Sequence, residues 1–240
     1  MFSGAMFSAI IDNTKYYVMN AIRLVCNVIS QYNTYKIENN YVVFNTSFNE
    51  KLNEHHLEIV KKYKNIVFIG EFNQEINNLP SEIEFIYFGQ SSKFNKPINN
   101  LPSNLKKLYI LNNKFNYYDS IQYLPYGIKT LALGGRFTDE LNNLPPTLEY
   151  LDLQLTPFNE DINNLPNGLK YLKLSTMFNK SITNLPTTLQ IISLYALYPK
   201  DKKKEFENLA KNRYPNLVIN YYGETDMDSN LREILGASMD

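Results

Sequence analysis

Apolar and polar positions keep a regular beat through the middle of this chain. Residues 86–88, 108–110, 131–133, 151–153, 172–174 and 192–194 each read apolar, variable, apolar, the period-two pattern of a half-buried strand. Each segment lies between copies of one phrase, Phe-Asn-x-x-Ile-x-Asn-Leu-Pro, which starts at Phe72, Phe94, Phe115, Phe137, Phe158 and Phe178. The leucines of that phrase, Leu79, Leu101, Leu124, Leu144, Leu165 and Leu185, stand 22, 23, 20, 21 and 20 residues apart. Connections of such constant length predict short strands that lie parallel and in register, with the rest of each unit crossing back over a core. A sustained period in this range marks a stacked coil.

One unit cannot stand alone. Its six or so large apolar side chains each contribute about 1.5–3 kcal/mol on full burial. Ordering some twenty residues costs about 30 kcal/mol at roughly 1.5 kcal/mol each. Neighbouring coils must therefore cover one another's apolar layers. The six phenylalanines are expected to form a continuous spine, with Ile76, Ile98, Ile121, Leu141, Ile162 and Ile182 packed beside it. Asn78, Asn100, Asn143, Asn164 and Asn184 are expected to bond backbone groups of a buried tight turn, with Tyr123 replacing them once. Pro80 and its equivalents belong in that turn.

The type unit reads Leu105-x-x-Leu108-x-Ile110-x-x-Asn113, a leucine-rich-repeat spacing. Within it, Phe94-Asn95-Lys96-Pro97-Ile98-Asn99-Asn100-Leu101-Pro102 resembles the FNIP repeat, a leucine-rich-repeat variant of social amoebae and giant amoebal viruses. The third repeat departs from the phrase at Tyr117-Tyr118 and Gln122-Tyr123, and the fourth carries Thr138 for asparagine. The resemblance covers about residues 72–195. It implies a right-handed α/β solenoid with a parallel sheet on the concave face, used for binding proteins, with no catalytic residues to carry over.

A solenoid exposes apolar layers at its ends, so helical caps are expected at both. Residues 48–71 form an aberrant first coil, in which Asn53 caps a helix through Tyr63 and 65–69 is a strand. Residues 41–44 read as a further strand. Residues 72–198 hold the six repeats, 199–223 a closing helix and strand, and 224–240 a polar tail. Within 1–47, Val18, Ala21, Ile22, Val25, Val28, Ile29 and Tyr32 recur at helical spacing. That segment could seal the solenoid, mediate homo-oligomer or partner contacts, or dock a ubiquitin-ligase adaptor. The last reading rests on Leu24-Val25-Cys26, which resembles the end of an F-box, over residues 1–40.

Composition narrows the function. Lysine plus arginine and aspartate plus glutamate each number 24, so no bulk field draws the chain to nucleic acid. Lys202-Lys203-Lys204 reads as a solvated helix face. One cysteine, Cys26, excludes an internal disulfide framework and fits a reducing, cytoplasmic setting. Arg23 interrupts the apolar run from Tyr16 to Ile29, which argues against a signal peptide or a membrane span. His55 and His56 are adjacent on a helix and diverge by about 100°. No metal spacing, phosphate loop or nucleophile elbow is present, and Glu149, Asp152, Glu160 and Asp161 are scattered, so neither catalysis nor a cofactor is expected.

Alternation supplies the candidate binding face. If Leu108 and Ile110 point inward, their neighbours point outward. Phe85, Tyr87, Lys107, Tyr109, Tyr150, Asp152, Tyr171 and Lys173 then share the concave face, a mixture of aromatic and charged groups suited to a protein partner. Two rival expectations accompany this one. The rings could simply stack on each other, or the N-terminal helix could cover them.

Overall fold

The computed structural model describes residues 34–38, 40–116, 120–138 and 140–223. Ten strands form one sheet in strict chain order. They are β1 (Tyr35–Glu38), β2 (Tyr41–Phe44), β3 (Asn65–Phe68), β4 (Phe85–Phe88), β5 (Lys107–Ile110), β6 (Thr130–Gly134), β7 (Tyr150–Leu155), β8 (Tyr171–Lys173), β9 (Ile191–Tyr195) and β10 (Val218–Tyr222). Among the described residues two helices join them, α1 (Glu54–Tyr63) and α2 (Lys200–Arg213), and Ser120–Tyr123 forms a 3₁₀ turn. Strands β2 to β10 are parallel, and the hairpin partner β1 is antiparallel. The register follows the repeat: Ile86 pairs Leu108, Leu108 pairs Leu131, and Leu131 pairs Leu151. One shift interrupts it, between Ala132 and Gly134 on β6. The chain is a β-solenoid with a parallel sheet.

The phenylalanine spine is present along the coil. Phe72 and Phe94 stack at 6.2 Å, Phe94 and Phe115 at 5.6 Å, Phe137 and Phe158 at 5.9 Å, and Phe158 and Phe178 at 6.3 Å, with ring planes within 11°. The aberrant first coil joins the row through Phe48, 5.8 Å from Phe72. At the N-terminal end a second row, Phe44, Phe68 and Phe88, interleaves with the first. Phe68 lies 3.9 Å from Phe72 and Phe88 lies 3.9 Å from Phe94. The Ile76 to Ile182 column is buried beside the spine.

Each proline of the phrase lies in a turn. The carbonyls of Pro80, Pro102, Pro125, Pro145, Pro166 and Pro186 accept the N–H three residues on. Asn78, Asn100, Asn143, Asn164 and Asn184 are exposed, which corrects the expectation of a buried turn asparagine. Two of them bond across coils: Asn164 Nδ2 donates to Asn142 Oδ1 at 3.0 Å, and Asn184 Nδ2 to the Asn163 carbonyl at 3.4 Å. The main asparagine ladder uses the second letter of the phrase instead. Asn49 Oδ1 accepts the Asn73 N–H, Asn73 that of Asn95, Asn95 that of Asn116, and Asn159 that of Asn179, at 2.8–2.9 Å. The repeat asparagine of the type unit also moves by one place. Asn112, fully buried, donates Nδ2 to the Phe94 carbonyl at 2.7 Å, whereas Asn113 is exposed.

Helix α1 begins where the sequence places it. The Asn53 side chain accepts the His56 N–H at 3.0 Å, and His56 Nδ1 accepts the Asn53 N–H at 3.4 Å, a reciprocal capping box. Val60 buries the helix against the first coil, and Lys64 ends it with φ of 61°. Helix α2 has no side-chain N-cap and buries Phe206 and Ala210. It also satisfies backbone groups of the last repeat. Glu205 accepts the Ile182 N–H at 3.0 Å, Lys202 donates to the Lys180 carbonyl at 2.8 Å, and the Tyr214 hydroxyl bonds both N–H and C=O of Leu185. Lys203 donates to the Ala196 carbonyl, so two of the three clustered lysines are anchored rather than solvated.

Candidate functional site

The off-core sheet face is built from alternate positions of successive strands, so its composition changes as the coil advances. Strand register places Phe85, Lys107, Thr130, Tyr150, Tyr171 and Ile191 in one row. The next row holds Val43, Val67, Tyr87, Tyr109, Ala132, Asp152, Lys173 and Ser193. All eight candidate residues therefore lie in two adjacent rows, but they are not equally accessible.

Phe85 and Tyr87 are 3% and 1% exposed. They belong to a second apolar cluster with Val43, Val67, Ile69, Leu111 and Ala132, against which Tyr41, Tyr109 and Leu155 pack. Tyr41 meets the Phe85 ring edge-on at 5.1 Å, and Tyr109 lies 5.5 Å from Phe85 and 5.8 Å from Tyr87. Burial raises the Tyr41 phenol above its ordinary value. Strict alternation treated the whole face as open. The structure instead closes its N-terminal part and leaves Lys107, Tyr109, Tyr150, Asp152 and Tyr171 half-buried.

The C-terminal part is more polar. Tyr150 and Tyr171 tilt together at 6.3 Å across β7 and β8. The Tyr150 hydroxyl donates to Asp152 Oδ2 at 3.4 Å, and Asp152 Oδ1 accepts the Gln154 N–H at 2.9 Å. The Tyr171 hydroxyl reaches Gln190 at 3.2 Å. Lys173 is buried, and its ammonium stands 4.9 Å from the centre of the Tyr222 ring, within cation–π range. The Tyr222 hydroxyl donates to the Leu174 carbonyl at 2.5 Å, and burial is the main reason its phenol is pushed far up.

At the start of the strands, sequence reading missed a charged row. Glu84 lies between Lys64 and Lys106 at 3.5 and 2.7 Å, and Glu149 between Lys129 and Lys170 at 3.0 and 2.7 Å. Hydrogen bonds from Lys106 hold the Glu84 carboxyl below its ordinary range, and those from Lys170 and Lys129 do the same for Glu149. The signal was legible: these residues immediately precede each strand at the repeat spacing. Glu149 is thus part of a ladder, not a scattered acid.

Elsewhere, the two histidines diverge as expected. His55 is exposed and accepts from or donates to the Tyr35 hydroxyl at 3.0 Å, while His56 is buried. Among the described residues no group of three or more His, Cys, Asp or Glu is placed to hold a metal ion. No helix among them is long and apolar enough to cross a membrane. The helix expected within residues 1–47 and the F-box-like Leu24-Val25-Cys26 fall outside the described residues, as do residues 224–240.

Comparison with known proteins agrees with this geometry. No protein-family model and no curated protein matches the chain. A solved structure does, described as the crystal structure of CroV588, a novel circular LRR protein structure. The two are 30% identical with a TM-score of 0.55, over 70% of this chain and 29% of that one. This chain therefore spans under a third of that protein's length. The fold and the likeness together define a leucine-rich-repeat-like solenoid protein. Folds of this class are usually non-enzymatic and commonly serve as protein-interaction scaffolds.

Proposed function

We propose that this protein is a non-enzymatic binding module that captures a protein partner on the open part of its sheet face. The supporting observation is the contrast along that face. Phe85 and Tyr87 are buried, whereas Tyr109, Tyr150 and Tyr171 remain half-buried beside Lys107 and Asp152. Partly exposed tyrosines with a few charges provide large, rigid contact area at low entropic cost. The repeats are of the FNIP type on this reading, because the phrase letters carry the spine, the ladder and the turns. Helix α2 is the C-terminal cap, since it supplies the bonds that a further coil would otherwise make. A reducing, cytoplasmic setting fits the single cysteine.

The test replaces Tyr109 and Tyr150 together with alanine in the full chain. Protein species retained from amoebal lysate by the parent should be lost from the variant, which should still unfold in a cooperative transition well above the assay temperature. Equal retention by parent and variant would overturn the reading.

A further inference from the structure

Two consecutive turns of the solenoid leave a groove of about 460 Å³ between them. Gln122, Leu124 and Tyr126 of the third repeat line one side, and Asn143, Leu144 and the Pro145-Pro146 pair of the fourth line the other. Leu124 and Leu144 are buried and form the floor. Tyr126 is 72% exposed at the rim, and Gln122 and Asn143 are exposed beside it.

The repeat explains why the turns part at this joint. The next two joints are bridged by side-chain amides, Asn164 to Asn142 and Asn184 to the Asn163 carbonyl. Asn143 and Gln122 stand at the corresponding positions, yet neither side chain is hydrogen-bonded among the described residues. The joint between Asn77 and Asn100 lacks the bridge as well, but it carries Ser81 and Ser103 where this one carries Tyr126 and Pro146. An aromatic ring and two unpaired amides therefore meet in one open groove. Its walls are fixed in advance. The Ile128 N–H donates to the Pro125 carbonyl at 3.1 Å and the Leu148 N–H to the Pro145 carbonyl at 3.0 Å. The Thr147 hydroxyl of one coil donates to the Tyr126 and Ile128 carbonyls of the other. A preformed site of this kind loses little on ordering when it binds.

We propose that the groove binds a proline-rich peptide segment in the polyproline II conformation. None of the lining side chains is charged, so a charged ligand would lose hydration there without a counter-charge. A run of prolines is neutral and offers apolar rings and carbonyl acceptors but no N–H donors. The Tyr126 ring and the Pro145-Pro146 ledge match its rings, and the amide N–H groups of Gln122 and Asn143 match its carbonyls. Polyproline II is already extended and stiff, so docking costs little chain entropy. A sugar ring is matched less well. It carries a hydroxyl on most of its carbons, and two amides and one phenol would leave several of them without partners. The groove is separate from the sheet face, since Tyr109, Tyr150 and Tyr171 line none of it.

Calorimetric titration of the full chain with an end-blocked deca-proline peptide tests the proposal. The expected result is saturable one-to-one binding that a glycine–serine peptide of equal length does not show. Tyr126→Ala should weaken it at least about tenfold, and Tyr126→Phe should retain it. Gln122→Ala combined with Asn143→Ala should weaken it several-fold. All three positions are exposed, so these variants should keep the parent fold. Tyr109→Ala combined with Tyr150→Ala should leave deca-proline binding unchanged, which separates this groove from the sheet face. Absence of saturable binding, or binding that neither Tyr126→Ala nor the paired amide variant weakens, would overturn the proposal. Tighter binding of maltohexaose than of deca-proline, lost in Tyr126→Ala, would overturn it in favour of a sugar site.

Discussion

Asn73 Oδ1 accepts the backbone N–H of Asn95 at 2.8 Å, although the two residues are 22 positions apart in sequence. The bond repeats from Asn95 to Asn116, so each asparagine holds the next coil by its main chain. Such a bond resists slippage of one coil against its neighbour, which apolar stacking alone does not.

Replacing Asn95 with alanine should leave the Asn116 N–H without its acceptor and cost about 1–3 kcal/mol. Asn95→Asp keeps an acceptor oxygen and should cost less. Urea unfolding of both variants against the parent measures the difference. Equal losses would show that the acceptor is not what matters.

Gly70 lies where two coils approach closely. A Cβ there would stand 2.0 Å from the Thr46 carbonyl oxygen and 2.4 Å from its Cα, both backbone atoms that cannot rotate away. That same carbonyl accepts the Glu71 N–H at 2.7 Å. Gly70→Ala should therefore cost about 3 kcal/mol or more, at or above the upper range for overpacking. A melting temperature within a degree of the parent would contradict it.

His56 gives the chain a pH dependence. Its Nδ1 accepts the Asn53 N–H, so Nε2 carries the proton and donates to Thr34 Oγ1 at 3.2 Å. The ring meets Phe44 and Phe48 edge-on at 5.6 and 5.2 Å. Burial first, then neighbouring His55, lowers its pKa below 6.5, with Glu50 opposing. The neutral ring is favoured in the fold, so its contribution is fully present above 6.5 and is lost as pH falls through the lower folded value. Urea midpoints should drop between about pH 7 and 5 in the parent. His56→Gln, which retains a capping-box side chain, should flatten that slope.

The charged row predicts a second, weaker dependence. Glu149 is held below its ordinary 4.5, so its contribution is present above that value and disappears as pH falls through the lowered one. Its partners are substantially solvated, and Glu149→Gln should cost under about 1 kcal/mol. Molar salt should erase most of that difference. A larger loss that salt does not reduce would place the role of Glu149 in packing instead.

The solenoid was legible because every coil solves the same problem with the same letters. Phe94 and Ile98 must be buried wherever the phrase recurs, and period-two alternation marks each strand between phrases. What escaped depends on angles and on layers rather than on spacing. Asn112 rather than Asn113 turns inward because the chain leaves β5 through Leu111, which joins the outer cluster. Phe85 and Tyr87 alternate just as Tyr150 and Asp152 do, and their burial in a cluster with Val43, Val67 and Ile69 depends on which apolar neighbours share the face, which the strand pattern does not encode. The Lys–Glu row could have been read by aligning residues 64, 84, 106, 129, 149 and 170, each one place before a strand.

That row also divides the molecule. Glu84 serves Lys64 and Lys106, and Glu149 serves Lys129 and Lys170. The two triplets meet with Lys106 against Lys129, where the Lys106 carbonyl accepts the N–H of both Lys129 and Thr130. Thr138 replaces an asparagine just beyond this join, and β6 carries the single register shift. Like charge falls at the β5–β6 interface, whereas the altered ladder and the shifted register fall one interface on, between β6 and β7. Under denaturant the coil that carries β6, weakened on both sides, should be where cooperativity breaks, so the two ends can have separate stabilities within a continuous sheet.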